Sequence, residues 1–325
     1  MTIGPTYTGG LPRHFLTGAE LTATQLNGLL DRALELKSAP HSSDALARQT
    51  VALLFQRPST RTRTSFEAGV VELGGHPMVL RTEDMQLSRG EPVRDTAYIL
   101  SRHVAAIGIR TGPDELVREL AAHATVPVVN MLTTGHHPCQ ALGDVLTLRE
   151  AFGALEGLTL AYVGDGNNVA RSLAILGARA GVQVRIASPP GYSLADSRAE
   201  ADSLADSRAE ADSRAEADSL ARVTLTEDPL EAVDGADAVY TDVWVSMNDD
   251  PETAAQRIEA LSRYRVDDAL LDRAAPRAFA LHCLPAHAGE EITAEVLYGE
   301  RQRIWDQAEN RRHAQKALLE FVTSG

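Results

Sequence analysis

The sequence predicts an α/β protein made of two doubly wound domains, each with a parallel sheet covered by helices. Short apolar runs alternate with helical stretches through the first half of the chain, and the same alternation begins again at Thr159. Strands of a parallel sheet are buried on both faces, so they appear as continuous apolar runs separated by helical crossovers. A chain of 325 residues with 44% hydrophobic residues is long enough to fill two such cores.

The first domain, residues 1–150, takes its predicted strands from four apolar runs. These are VALLF, HPMVLR, AAIGIR and VPVVNM, which begin at Val51, His76, Ala105 and Val126. The helical stretches between them supply the crossovers that parallel strands require. The chain passes to the second domain near residues 148–158.

The second domain, residues 151–306, repeats this alternation. Its apolar runs are LTLAYVGD, VQVRIASP, DAVYTDVW and AFALHCLP, and a helix is predicted from Val169 to Ala180. The last segment, residues 307–325, has apolar positions such as Ala314 and Leu318 at the spacing of one amphipathic helix. A helix of this kind can fold back onto the first domain.

A tandem repeat of ten residues lies within residues 193–221. The unit SLADSRAEAD occurs twice and is followed by SRAEAD and SLA. Ala, Leu, Arg and Glu favour helix whereas Asp and Ser do not, so we predict a solvated helix whose regularity is open. A passive insertion is favoured over an acquired partner-binding site.

Charge and cysteine content argue against several classes of protein. A formal net charge of −14, without a compensating basic block, argues against broad binding to nucleic acid or to an anionic membrane. The two cysteines, Cys139 and Cys283, fit a reducing compartment, and we expect no disulfide. The N-terminus lacks a charged start followed by an apolar stretch, and no run of about 18 apolar residues occurs later. We therefore expect a soluble, cytoplasmic protein.

The run FQRPSTRTRTSFE, from Phe55 to Glu67, predicts an anion-binding turn. It joins a predicted strand to a predicted helix, where free backbone N–H groups and the positive end of the helix dipole converge. Arg61 and Arg63 lie roughly 200° apart around that helix, so they cannot both reach one small ligand. We assign Arg61 to a phosphate and Arg63 to a carboxylate of the chain. Three hydroxyl groups add donors, on Ser59, Thr60 and Thr62. On spacing alone, an ordinary capped helix with surface arginines is an equal alternative.

Seven segments, in order, resemble the aspartate and ornithine carbamoyltransferase family. They are STRTR followed by SFE from Ser59, MQLSRGE from Met85, HPCQALGD from His137, GDGNNVARS from Gly164, DVWVSM from Asp242, HCLPAH from His282 and ENRRHAQKALL from Glu309. Together they extend the resemblance over nearly the whole chain. The resemblance implies that the last helix returns to the first domain, that the active site lies in the interdomain cleft near a subunit boundary, and that the core assembly is a trimer.

The resemblance also implies how carbamoyl phosphate is bound. The phosphate would meet Arg61 and the helix N-terminus, while Arg110 and His137 would polarise the carbamoyl oxygen, where attack builds negative charge. Gln140 would hold the carbamoyl amide, and Gln86 would reach a neighbouring subunit's site. The carbamoyl-phosphate positions are Ser59, Thr60, Arg61, Thr62, Gln86, Arg110, His137, Pro138, Cys139, Gln140, Cys283, Leu284 and Arg311, and the catalytic ones are Arg61, Arg110, His137 and Cys283. His136 and Arg312 are adjacent alternatives to His137 and Arg311, and a structural role for His137 stays open.

For the second substrate, the resemblance implies L-ornithine. The matching positions are Asn168, Asp242, Ser246 and Met247. Asp242, at the end of an apolar run, can accept hydrogen bonds from an α-ammonium group. Cys283 would orient the side-chain amine and Leu284 would offer its carbonyl to the carbamoyl group, although Cys283 alone fits a buried strand cysteine equally. The implied reaction gives L-citrulline and phosphate. The HCLPAHAGEE form favours arginine biosynthesis, while breakdown of citrulline stays open. No cofactor is expected, and no metal, because the cysteines and histidines show none of the strong ligand spacings.

Several other functions stay open at this point. Aspartate as acceptor would be expected to come with basic residues in place of HCLPAHAG, and a modified ornithine or another amine is a closer rival. Gly164 and Gly166 follow an apolar run, as in a nicotinamide-binding turn, but Val169 stands where a third glycine is expected. An inactive carbamoyl-phosphate-binding subunit is a further alternative.

Overall fold

The computed structural model describes residues 12–194, 210–245 and 251–324. It contains two separate sheets, and every strand pair in them is parallel. The predicted fold class, two α/β domains with parallel sheets, is therefore confirmed. Of the predicted insertion, residues 195–209 lie outside the described residues.

The first sheet has four strands, in the order β2-β1-β3-β4. Its central strand β1 is buried along Val51–Phe55, as its unbroken apolar sequence predicts. The strands are β1 (Thr50–Phe55), β2 (His76–Arg81), β3 (Ala106–Arg110) and β4 (Val128–Leu132). The helices are α1 (Ala23–Ser38), α2 (Thr60–Glu72), α3 (Val93–Leu100), α4 (Asp114–His123) and α5 (Pro138–Phe152), with 3-10 turns at Thr82–Asp84 and Gln86–Arg89.

The second sheet has five strands, in the order β7-β6-β5-β8-β9. The short edge strand β7 was not predicted, because three residues reading Thr-Leu-Thr carry no apolar run. The strands are β5 (Thr159–Val163), β6 (Gln183–Ala187), β7 (Thr224–Thr226), β8 (Ala238–Thr241) and β9 (Phe279–His282). The helices are α6 (Asn168–Arg179), α7 (Glu210–Leu220), α8 (Pro229–Val233), α9 (Pro251–Leu261), α10 (Asp268–Leu271), α11 (Ala294–Tyr298) and α12 (Ile304–Thr323), with a 3-10 turn at Ser262–Tyr264.

The last helix, α12, packs against α1, α2 and α5 of the first domain. Its buried residues include Ala314, Ala317, Leu318 and Val322, the positions that the amphipathic pattern picks out. One continuous cluster of buried side chains runs from the first sheet through α5 and α6 to the second sheet. The cleft between the sheets is therefore bordered by elements that share a core, which limits how far facing side chains can drift apart. Within the described residues, no helix combines the length and the apolar character that crossing a membrane requires.

Candidate active site

The carboxyl ends of β1, β3, β4 and β9 supply most of the predicted site residues. In open α/β sheets ligands bind at this edge, because loops and helix N-termini converge there. β1 leads to the turn before α2, β3 ends at Arg110, and β4 leads to the loop before α5. β9 ends at His282 and is followed directly by Cys283.

The N-terminus of α2 has the geometry predicted for the anion turn. Ser59 is the N-cap, in an extended conformation, and its hydroxyl accepts a hydrogen bond from the Thr62 N–H at 3.3 Å. Arg61 leaves the helix toward the second domain, where its guanidinium donates to the Leu284 carbonyl. Arg63 instead pairs with Glu67 at 2.6 Å, one turn further along the same helix. The two arginines thus have separate partners, as their angular separation predicts.

Three arginines approach one another in the cleft. Arg311, from α12, is buried and donates to the Thr62 hydroxyl at 2.8 Å. Arg110 is largely buried, and burial together with the charges of Arg311 and Arg61 lowers its pKa to about 10. The Nε atoms of Arg110 and Arg311 are buried without a hydrogen-bond partner among the described residues. Like charges in a low-dielectric site repel strongly, so the cluster is completed best by an anion.

The neighbouring Arg312 points elsewhere. Its guanidinium pairs with Glu72 at 3.3 Å and with Glu309 at 3.5 Å. Of the two adjacent arginines, the structure therefore brings Arg311 to the cleft and directs Arg312 toward the end of α2.

His137 lies at the start of α5, where it is the N-cap residue and Pro138 is the first helical residue. Its backbone N–H donates to the Ser172 hydroxyl at 2.7 Å, across to α6. Burial, and then the charges of Arg311, Arg110 and Arg61, hold the pKa of its imidazole well below the usual value. Its Nδ1 has no hydrogen-bond partner among the described residues. The side chain is therefore a neutral imidazole beside the arginines.

Gln140, one turn into α5, presents an oxygen to the same region. Its side-chain nitrogen donates to Asp144 at 2.8 Å, while its side-chain oxygen is buried and lacks a partner in the described part of the chain. Asp144 also accepts a hydrogen bond from Gln307 at 2.6 Å. Burial raises the pKa of Asp144 to about 7, against the effect of the two amide donors. An amide oxygen left open in this way is suited to accept from an NH₂ group.

Cys139 lies between His137 and Gln140 in the sequence, but its side chain bonds to the protein backbone. Its thiol donates to the Asn130 carbonyl at 3.3 Å, and burial raises its pKa to about 12. Any contact of this residue with a ligand therefore comes from its backbone.

Cys283 and Leu284 form the second-domain side of the cleft. Burial, and then the nearby Asp242 carboxylate, hold the pKa of Cys283 well above its usual value, so the group is a thiol and not a thiolate. Leu284 has a positive φ of 62°, which costs about 1–3 kcal/mol for a residue with a side chain. Its N–H donates to His282 Nδ1 at 2.8 Å, and this bond stabilises the unusual backbone.

His282 is in turn held by Glu291. The distance from His282 Nε2 to Glu291 Oε1 is 3.0 Å, and both side chains are fully buried. Because His282 Nδ1 accepts from Leu284, its Nε2 must carry the proton that is donated to Glu291. The HCLP turn therefore has an internal support that its sequence alone did not reveal.

The predicted ornithine positions lie partly in the described structure. Asp242 is buried and accepts from the Asn167 side chain at 3.0 Å, and burial raises its pKa. The Asn168 side chain donates to the Thr133 carbonyl at 2.7 Å. Ser246 and Met247 lie outside the described residues. Gln86 is exposed in its 3-10 turn, where its side-chain oxygen contacts Arg89 at 3.5 Å.

Sequence reasoning missed several supporting residues. Asp144 and Asn167 contact the predicted site residues Gln140 and Asp242, and both lie inside segments that had been singled out. Glu291 supports Leu284 through His282. Gln140 and Asp144 are four residues apart on one helix, a spacing at which side chains meet, so this pair was open to prediction. The contact between Arg61 and Leu284 joins residues 223 positions apart, and no local signal points to it.

Two α/β domains border a cleft that holds three arginines, a neutral imidazole and an open amide oxygen. This fold and site define an enzyme that binds a small anion and acts on an acyl-like group. The chain belongs to the aspartate/ornithine carbamoyltransferase family. The family's carbamoyl-P binding domain matches residues 13–150, and its Asp/Orn binding domain matches residues 156–322. The resemblance drawn from the seven motifs is confirmed.

Individual relatives agree with this assignment. The chain is 50% identical over 315 residues to an ornithine carbamoyltransferase of Acidothermus cellulolyticus, covering 95% of this chain and 96% of the relative. It is 46% identical over 310 residues to that of Bacillus subtilis, covering 95% and 93%. The structure resembles the crystal structure of ornithine carbamoyltransferase from Thermus thermophilus, with a TM-score of 0.82, 42% identity and coverage of 96% and 99%. The enzyme from Pyrococcus furiosus gives a TM-score of 0.85, 41% identity and coverage of 97% and 98%.

Proposed function

We propose that this protein transfers the carbamoyl group of carbamoyl phosphate to the δ-amine of L-ornithine, giving L-citrulline and phosphate. The observation that carries the proposal is the cluster of Arg61, Arg110 and Arg311 beside the unpartnered polar atoms of His137 and Gln140. Carbamoyl phosphate has three parts: a phosphate, a carbonyl oxygen and an amide. The arginines supply positive charge for the phosphate, His137 supplies a donor for the carbonyl oxygen, and Gln140 supplies an acceptor for the amide.

In the proposed mechanism, the arginines and the N-terminus of α2 hold the phosphate. When an amine attacks the carbamoyl carbon, negative charge grows on its oxygen and then on the departing phosphate. Arg110 and the neutral His137 stabilise the first charge, and Arg61 with Arg311 stabilises the second. A neutral imidazole serves here because it donates one N–H without adding a fourth positive charge to the cluster.

Carbamoyl phosphate would also compete with a protein partner of Arg61. The Arg61 guanidinium donates to the Leu284 carbonyl. A phosphate at the N-terminus of α2 would compete for that guanidinium through stronger, charge-assisted hydrogen bonds. The Leu284 carbonyl would then be free to accept from the carbamoyl NH₂, opposite the oxygen of Gln140. The two acceptors together would fix the plane of the carbamoyl group.

The acceptor amine approaches from the second domain. Asp242 accepts hydrogen bonds from the α-ammonium group, and Asn168, Ser246 and Met247 complete the ornithine contacts. The δ-amine has a pKa in water of about 10, so the site must select its neutral form. Cys283 carries an uncharged thiol. It can therefore orient the neutral δ-amine, whereas a negatively charged thiolate would favour the protonated amine.

Assembly and cellular setting are further parts of the proposal. We infer a trimer or a multiple of trimers, with Gln86 reaching the site of a neighbouring subunit, and a cytoplasmic role in arginine biosynthesis. Support for these statements comes from the family assignment and from the HCLPAHAGEE form of the second-domain motif.

The test is citrulline formation from carbamoyl phosphate, with ornithine, aspartate, N-acetylornithine and putrescine as parallel acceptors. Ornithine-dependent citrulline is the expected result. Preference for another amine would overturn the acceptor while keeping the carbamoyl-phosphate site. Well-folded protein without activity toward any amine would indicate an inactive subunit.

A further inference from the structure

A buried charge cluster joins the two domains next to the active site. It consists of Asp114 at the start of α4, His136 in the loop before α5, Arg171 in α6 and Glu216 in α7. His136 Nδ1 lies 2.8 Å from Asp114, and its Nε2 lies 3.2 Å from Glu216. Arg171 lies 3.3 Å from the same Glu216 oxygen. The Glu216 side chain is only 15% exposed, although α7 belongs to the repeat region.

Asp114 organises the loop that precedes His137. Its carboxylate accepts from the Thr133 hydroxyl at 2.6 Å and from the Gly135 N–H at 2.9 Å, in addition to His136. The loop is thereby fixed from the side of the first domain. At its end, His137 donates its backbone N–H to Ser172, the residue after Arg171.

Glu216 fixes the same loop from the side of the second domain. Burial opposes a charge on His136, but hydrogen bonds to Asp114 and Glu216 outweigh it and raise the imidazole pKa to about 9. The ring is then doubly protonated at neutral pH, and both of its N–H groups donate. Among the described residues, the cluster pairs two cations with two carboxylates, and buried charges are tolerated when they are paired in this way.

We propose that Glu216, through His136, is a positioning residue that holds the loop Thr133–His137 so that His137 faces the carbamoyl oxygen. The inference rests on the proposed function, because it concerns the placement of a group for that reaction. The inference also assigns a role to α7. The last partial copy of the repeat, SRAEAD at residues 213–218, supplies the carboxylate that supports the active site. A passive insertion would not do so.

The test compares Glu216→Ala with Asp218→Ala. Asp218 lies two residues further along α7 and is exposed, so its variant removes the same charge from the same helix without touching His136. In Glu216→Ala, His137 loses its fixed placement, and kcat for citrulline should fall roughly tenfold. The KM for carbamoyl phosphate should stay within about twofold, because the arginines that hold the phosphate are not altered. Asp218→Ala should match the wild type in both constants.

Histidine-selective ¹⁵N NMR adds a readout that does not depend on turnover. Loss of the Glu216 carboxylate should lower the pKa of His136 by about one unit, while Asp218→Ala should leave it unchanged. Equal kcat in the two variants, with an active wild type, would overturn the inference. So would a parallel worsening of kcat and both KM values with a lower Tm, since that pattern indicates general destabilisation. An inactive wild-type protein would instead overturn the proposed function itself, and this role with it.

Discussion

His136 and His137 are adjacent in sequence but face different charges. His136 lies between two carboxylates, whereas His137 lies beside three guanidinium groups. The first environment favours the protonated ring and the second favours the neutral one. Two residues of the same type thus serve different purposes, one as a buried cation that shapes a loop and the other as an uncharged donor at the reaction centre.

We expect these two histidines to differ in charge across the neutral range. The pKa of His137 is depressed, so it should remain neutral as the pH falls from 8 to 6, whereas His136 should remain protonated until the pH approaches about 9. Histidine-selective ¹⁵N NMR with assigned variants measures both rings in one titration. Joint titration of the two rings near pH 6.5 would contradict the assigned environments.

Asp144 is expected to act through Gln140. In Asp144→Asn the acceptor of the Gln140 amide is weakened, so the amide can rotate and turn its NH₂ toward the carbamoyl NH₂. We expect a higher KM for carbamoyl phosphate and a lower kcat, together a loss of roughly tenfold in kcat/KM from one misplaced hydrogen bond. Steady-state kinetics check this. Thr147→Val, three residues on, should leave kcat/KM near the wild-type value, because the Thr147 hydroxyl bonds to the Gly143 carbonyl and the Asn310 side chain and, among the described residues, to no predicted site residue.

The last helix, α12, stabilises the first domain while also delivering Arg311 to the cleft. Lys316 in this helix is fully buried, and its ammonium donates to the carbonyls of Leu36 and Pro40 and pairs with Glu72 at 2.6 Å. Lysine is seldom buried unless it is paired in this way. One side chain thus ties α12 to α1 and α2, and the position of Arg311 depends on that packing.

Lys316→Ala should therefore be strongly destabilising. It leaves a cavity and removes the closest partner of Glu72, which keeps its pair with Arg312 at 3.3 Å. We therefore expect a cost of about 2–5 kcal/mol in the free energy of unfolding, mainly from the cavity. Denaturant unfolding at neutral pH measures the change. Arg63→Ala is the comparison, because its pair with Glu67 is partly exposed and should be worth about 0.5 kcal/mol. Equal losses in the two variants would show that α12 is not anchored through Lys316.

Secondary-structure elements and motifs could be predicted from the sequence, whereas the long-range side-chain contacts that hold them together could not. Apolar runs located eight of the nine strands, and the divergence of Arg61 and Arg63 followed from helix geometry alone. The Glu216–His136 and Lys316–Glu72 contacts lie 80 and 244 positions apart along the chain. Such contacts depend on how whole elements dock against one another, and hydrophobic periodicity along the sequence carries no information about that docking.

On the scale of the whole chain, a small cationic site lies within an acidic protein. The net charge is −14, yet the cleft gathers three arginines, and among the described residues the Nε atoms of Arg110 and Arg311 have no hydrogen-bond partner. Bringing these like charges together lowers stability. Arg61 and Arg110 belong to the first domain, and Arg311 comes from α12, which packs against that domain. An anion that bridges the arginines should therefore stabilise the docking of α12 on the first domain.

Inorganic phosphate is the simplest probe of this coupling. At about 100 times its Kd it should add about 2.7 kcal/mol to the free energy of unfolding, seen as a higher Tm. Arg311→Ala should lose most of that gain, because it removes a buried guanidinium from the site. Arg312→Ala is the matched control, since the adjacent guanidinium pairs with Glu72 and Glu309 and should leave the phosphate effect intact. A phosphate effect that is equal in both variants, or that chloride reproduces at the same ionic strength, would indicate general charge screening. The stabilisation would then not come from a specific anion site.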